Sequence, residues 1–196
     1  ENKIIILSHF TNIADNKNTT VLQYTGVKEK YAFYFGRISK EKGVNNLINI
    51  FKNIGGIKIY LAGKIEKNIK IEKLNNVKHL GYLGQDKLKE LIKNSEFVIS
   101  GSKLPETFGL IALEANALGK PFVGLKTGAY PEMIETMKNG YLAENNEDLV
   151  KIIKKISSGE VSFNCQKIKN NSREKYNPDK YYEKITKAFD KLRKIC

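Results

Sequence analysis

A chain of 196 residues with 41% hydrophobic content suits one generous domain with a real core. Its 34 Lys and Arg against 21 Asp and Glu give a net charge of +13, which favours anionic partners, although scattered lysines and heavy use of Lys, Asn and Ile also fit a general compositional bias. No apolar run reaches the roughly eighteen residues of a membrane span, and there is neither an aromatic-plus-basic RNA-binding signature nor a helix-turn-helix cue, so no nucleic-acid partner is expected.

The chain opens on Glu1 and a short strand-like run at 4–7. A signal peptide needs a basic start and a longer apolar stretch, so this opening reads as a cut through a longer chain. From residue 31 strands and helices alternate. Runs at 31–36 (YAFYFG) and 57–63 (IKIYLAG) are rich in β-branched and aromatic residues and end in Gly. Shorter strands are expected at 77–83, 96–100 and 121–125. Helical spacing of three and four marks 44–54, the segment after Gly84, a segment opening after Thr107, and 147–156. This order predicts an α/β fold: a Rossmann-like parallel sheet flanked by helices, with ligands beyond the carboxyl ends of the strands.

After residue 157 the chain becomes loop-like, with a short helix expected over 164–175. Asn177-Pro178 then starts a terminal helix whose stripe of Tyr182, Ile185, Phe189 and Leu192 predicts a docked amphipathic face. Lys180, Lys184, Lys187, Lys191 and Lys194 line much of the remainder, and peripheral contact with a membrane surface is the alternative. Cys165 and Cys196 show no CxxC spacing and read as free cytosolic thiols. Of the two histidines, His9 and His79, the second lies in a strand and reads as a packing or surface residue. No Ser/His/Asp set, metal cluster or GxGxxG is evident.

Three segments could carry chemistry. Gly36-Arg37 sits at a strand end and Lys42-Gly43 at a helix entrance, a combination suited to anions because helix N–H groups and the dipole favour negative charge there. Arg37 can fork onto phosphate oxygens and Lys42 adds a point charge, although both also suit a solvated surface. The second segment, "PETFGLIALEANALGKPFVG" (105–124), places Glu106 and Glu114 around an almost wholly apolar helix. Thr107 is its expected N-cap and Gly119 its stop. Residues eight apart are rotated by only about 80°, so both acids could address one region; capping and a salt bridge are the structural alternatives. The third segment, "KTGAYPEMI" (126–134), reads as a turn at Gly128 followed by a helix with Pro131 in its first turn.

In order along the chain, "GRISKEKG" (36–43), "YLAG" (60–63), "HLGYL" (79–83), "ETFGLIALEANALGKPFVG" (106–124), "TGAYPEMI" (127–134) and "NGYLA" (139–143) resemble the C-terminal, donor-binding domain of GT-B glycosyltransferases of the retaining family 4, the group 1 transferases. The resemblance covers roughly 31–157. It implies that 1–30 is the end of an acceptor domain and the crossover from it, 31–157 a Rossmann-like nucleotide-sugar domain, and 158–196 the C-terminal helices. It further implies that Arg37 and Lys42 hold the donor diphosphate and act in catalysis with Glu106, which faces the sugar hydroxyls. Phe108, Gly109 and Leu110 would offer amides to the same phosphates, Glu114 would bind the ribose, and Leu83 would meet the base through its backbone. Thr107, where Gly is frequent, and Lys103-Leu104 depart from the usual pattern.

The activity implied is retaining transfer of a sugar from a nucleotide sugar to a glycan or lipid, with no cofactor or metal, in cell-envelope glycan synthesis. The location implied is cytoplasmic, with peripheral contact at the inner membrane face as the alternative. The partner implied is the family's N-terminal acceptor domain, without which the chain is expected to be inactive. A GT-B sugar-nucleotide epimerase, or a basic α/β module for nucleic acid or acidic membrane, remains the alternative function.

Overall fold

The computed structural model of the chain describes residues 29–193 except 68, 72 and 73; the expected strand at 4–7, the crossover before residue 28, His9, Lys194 and Cys196 lie outside them. Six strands form one parallel sheet: β1 (Tyr31–Phe35), β2 (Lys58–Ala62), β3 (Val77–His79), β4 (Phe97–Ile99), β5 (Phe122–Leu125) and β6 (Gly140–Ala143). Their spatial order is β3-β2-β1-β4-β5-β6. The order reverses between β1 and β4, and in an open α/β sheet the crevice for a ligand lies at that switch. The Rossmann-like expectation therefore holds.

The strands are buried on both faces, and their alternation sorts the core into two layers. Ala32, Tyr34, Ile59, Leu61, Phe97 and Ile99 pack with helices α1 (Val44–Lys52) and α5 (Asn146–Ser158). Tyr31, Phe33, Tyr60 and Val98 pack on the other face with α2 (Gln85–Asn94), α3 (Leu110–Ala117) and the short α4 (Tyr130–Met133). Asn145 caps α5 by accepting from the Asp148 amide (2.9 Å). Helix α6 (Cys165–Lys175) packs against α3, and α7 (Pro178–Arg193) follows it. Among the described residues no helix is long and apolar enough to cross a membrane.

Three expectations need correcting, and one strand carried no expectation. The strand expected at 77–83 stops at His79, because the chain turns at Gly81 with φ 74. Strand β6 was not expected from local pattern, since Gly-Tyr-Leu-Ala holds no β-branched residue; its pairing with β5 creates it. Helix α3 is capped by Gly109 with φ 61, not by Thr107, since the chain turns into the helix two residues later than expected. In the apolar stripe of α7, Tyr182 and Phe189 are exposed on the described chain, at 59% and 62%, and Ile185 is half-buried. An amphipathic pattern shows that a face is apolar, not what covers it. His79 sits at the end of β3, where its Nε2 lies 2.9 Å from the Gly63 carbonyl.

Candidate functional site

The loops after β1 and β4 flank the switch in strand order. The first, residues 36–43, is tied into a turn: the Lys42 amide donates to Ser39 Oγ (3.2 Å) and the Gly43 amide to the Lys40 carbonyl (3.0 Å). The Tyr34 hydroxyl donates to the Arg37 carbonyl (2.7 Å) and fixes the start of the same loop. The buried Ser102 hydroxyl lies within reach of the Glu41 and Leu104 carbonyls (3.3 and 3.1 Å), stitching the second loop to the first. The loop at 126–130 supports both. There Gly128 has φ 55, and a Cβ on it would lie 2.3 Å from the Glu106 nitrogen. The Ala129 amide donates to the Glu106 carbonyl (2.8 Å), so Gly128, read from sequence as a turn, also shapes the backbone of a site residue.

These loops enclose a cleft of about 200 Å³. Its walls bring together Arg37, Lys42, Glu106, Phe108, Gly109 and Leu110, six of the eight residues singled out from sequence. Lys42 Nζ lies 2.6 and 2.9 Å from the two Glu106 carboxylate oxygens, joining residues read separately in sequence. Arg37 is 56% exposed and reaches Glu66 at 3.3 Å and Glu41 at 3.5 Å. No side chain caps α3, and Gly109, Leu110 and Ile111 at its N-terminal end line the same cleft, which places the positive end of the helix dipole at its wall. Tyr34, Phe35, Gly36, Ser100, Thr107, Ile111 and Tyr130 complete the walls. Of these, Tyr130 was read from sequence only as part of a structural turn, because local pattern gives no sign that its hydroxyl reaches another loop.

Leu83 and Glu114 are not among the walls of this cleft. Leu83 is half-buried against the core layer that holds α2 and α3. Glu114 follows Leu110 by one turn on the same stripe of α3. It is half-buried, its side chain has no hydrogen-bond or ion-pair partner among the described residues, and burial raises its pKa above the ordinary carboxylate value. This predicts a stability cost. When the folded-state pKa exceeds the unfolded one, stability falls as pH rises from the unfolded to the folded value and stays reduced above it. Glu114→Gln is therefore expected to raise Tm by about 2–4 °C near pH 7, for roughly 1 kcal/mol, with the gain fading as pH falls through the raised pKa and gone below about pH 4. Thermal melts at both pH values check this; an unchanged or lower Tm near neutrality would contradict it.

The sequence profile described as glycosyl transferases group 1 matches residues 23–175. The chain belongs to this family. Among curated relatives of this group 1 chain, the uncharacterized glycosyltransferase MJ1178 of Methanocaldococcus jannaschii is 28% identical, the match covering 97% of this chain and 60% of that protein. The N-acetyl-alpha-D-glucosaminyl L-malate synthase of Bacillus anthracis is 33% identical over 59% of this chain and 32% of its own. Among solved structures, Anabaena Alr3699/HepE in complex with UDP superposes with a TM-score of 0.72 at 21% identity, over 83% of this chain and 49% of that one. Its complex with UDP-glucose gives 0.69 at 22% identity, over 85% and 49%. This group 1 chain thus spans 60% of MJ1178 and about half of the solved structure. The shared architecture is the Rossmann-like sheet of GT-B glycosyltransferases.

Proposed function

We propose that the chain is the nucleotide-sugar-binding half of a retaining glycosyltransferase that passes a sugar to a glycan or lipid acceptor. The observation that carries this reading is the convergence of Arg37, Lys42, Glu106 and the uncapped mouth of α3 on one cleft at the switch in strand order. Two cations and a helix N-terminus fixed before the reaction make an electrostatic cradle for a departing diphosphate. With that charge supplied by side chains and amides, the site is assigned no metal. The family match and the UDP and UDP-glucose complexes of HepE support the ligand class.

In this reading Arg37 and Lys42 take the diphosphate together with the amides of Phe108, Gly109 and Leu110. Glu106 faces the sugar hydroxyls, Glu114 takes the ribose hydroxyls, and the Leu83 backbone meets the base. A ribose would supply the hydrogen bonds that Glu114 lacks among the described residues. The cleft of about 200 Å³ is smaller than the roughly 300–1,000 Å³ of complete ligand pockets, so it suits a diphosphate rather than a whole nucleotide sugar. The acceptor site is assigned to a further domain, in keeping with the share of its relatives that this chain spans.

Calorimetry with UDP, GDP and ADP tests the reading. One nucleotide is expected to bind at millimolar Kd or better, Arg37→Ala and Glu114→Ala should each weaken it by about fivefold or more, and the chain alone should transfer no sugar. Silence toward all three nucleotides, beside salt-sensitive binding to DNA or anionic vesicles, would favour a basic binding module instead.

A further inference from the structure

Tyr130 is wholly buried, yet among the described residues its hydroxyl has no partner in hydrogen-bond geometry. Buried hydroxyls are nearly always satisfied, so an orphan in the wall of a ligand cleft asks for an explanation. Simple packing does not require the oxygen. The ring packs face to tilt on Phe122 with centroids 4.6 Å apart, and Phe would keep that contact. Its edge also lies against the helix mouth: a Cβ placed on Gly109 would be 3.1 Å from Tyr130 Cδ1 and Cε1. From there the hydroxyl lies among the cleft residues. The neighbouring Ser100 interacts with it without reaching hydrogen-bond geometry, and Ser100 Oγ already accepts from the Ser102 amide at 3.3 Å.

Glu106 acts electrostatically on the same phenol. Burial first, opposed in part by the Ser100 hydroxyl and reinforced by the Glu106 charge, pushes its ionisation well above the ordinary value, so it stays an O–H donor at physiological pH. The carboxylate that bears on this hydroxyl is the one that occupies Lys42. An incoming diphosphate competes for that cation, and taking it requires Glu106 to give way.

We propose that Tyr130 is a further ligand-positioning residue of this cleft, whose hydroxyl donates to a phosphate oxygen once the ligand displaces Glu106 from Lys42. The inference rests on the donor-site reading above and adds to it a neutral donor on the wall formed by α4. It also assigns the Lys42–Glu106 pair a second role: the carboxylate holds the cation until phosphate arrives. The orphan hydroxyl is thereby matched to a ligand oxygen rather than to another part of the chain.

Calorimetry of the wild type and Tyr130→Phe with UDP, and separately with pyrophosphate, combined with melts without ligand, tests this. Tyr130→Phe is expected to weaken both ligands by about five- to tenfold while Tm stays the same or rises, because an apolar ring edge suits the buried position at least as well. Unchanged affinity for both probes would overturn the inference while leaving the donor site standing. Weaker binding accompanied by a lower Tm would also overturn it, since a packing defect would then account for the loss. Failure of the wild type to bind pyrophosphate or any of the three nucleotides would remove the donor-site reading itself, and this inference with it.

Discussion

Lys42→Ala is expected to weaken binding of the preferred nucleoside diphosphate by about tenfold to a hundredfold, the range for losing one or two charge-assisted hydrogen bonds. The change removes the side chain that meets both oxygens of Glu106, and leaves a carboxylate only 18% exposed without its cation. Two effects therefore add: lost attraction for phosphate and a new uncompensated negative charge beside it. The ion pair itself contributes only about 0.5–1 kcal/mol to folding, because Lys42 is 35% exposed and solvent screens it. Binding should consequently suffer far more than stability. Lys42→Arg keeps the charge and should recover much of the affinity. Glu106→Gln supplies the opposite sign, since it releases Lys42 and should tighten a bare nucleoside diphosphate by a few fold while weakening the nucleotide sugar, whose hydroxyls it can no longer accept from as strongly. Calorimetry of these variants with both ligands measures the pattern. Lys42→Ala binding as tightly as wild type would remove Lys42 from the phosphate site.

That pairing shows where sequence reasoning stopped. Alternating strands and helices are visible because β1 and β2 are near-continuous apolar runs that end at glycine, while α1 and α5 repeat apolar residues with a period of about 3.6. Arg37 and Lys42 could be singled out because a strand end, a basic loop and a helix start lie within eight consecutive residues. The carboxylate partner of Lys42 is set by sheet order and turn geometry, which bring Glu106 to it from 64 positions away. The same holds for Tyr130: "TGAYPEMI" announces a turn and a short helix, and only the packing of α4 under Gly109 carries the phenol into the cleft. Strand β6 was illegible for a related reason, since its four residues become a strand by pairing with β5. Glu114 was legible as an oddity, an acid on a buried helix, but its lack of a partner among the described residues needed three dimensions.

Gly43→Ala should be among the most destabilising single substitutions in the chain, at about 3 kcal/mol or more. Gly43 caps α1 in the left-handed region with φ 67. A Cβ there would lie 1.8 Å from the Gly101 carbonyl oxygen and 2.7 Å from the Ser102 nitrogen, backbone atoms of the loop that follows β4. Gly159, which ends α5 with φ 83, separates the two contributions, because a Cβ there meets nothing within 4 Å. Gly159→Ala thus reports left-handed strain alone, about 1–2 kcal/mol. At about 2–4 °C per kcal/mol for a chain of this size, Gly43→Ala should lower Tm by about 6–12 °C and Gly159→Ala by about a third to two-thirds of that. The difference matters for the site, because the approach of Gly43 to Gly101 holds the Lys42 loop against the loop that carries Glu106. Relief of the clash has to push those loops apart, so Gly43→Ala should also lose nucleotide affinity, whereas Gly159→Ala, remote from the cleft, should keep it. Equal Tm losses at the two glycines would mean that the loops are not in tight contact, and with that the fixed spacing of Lys42 and Glu106 would lose its structural basis.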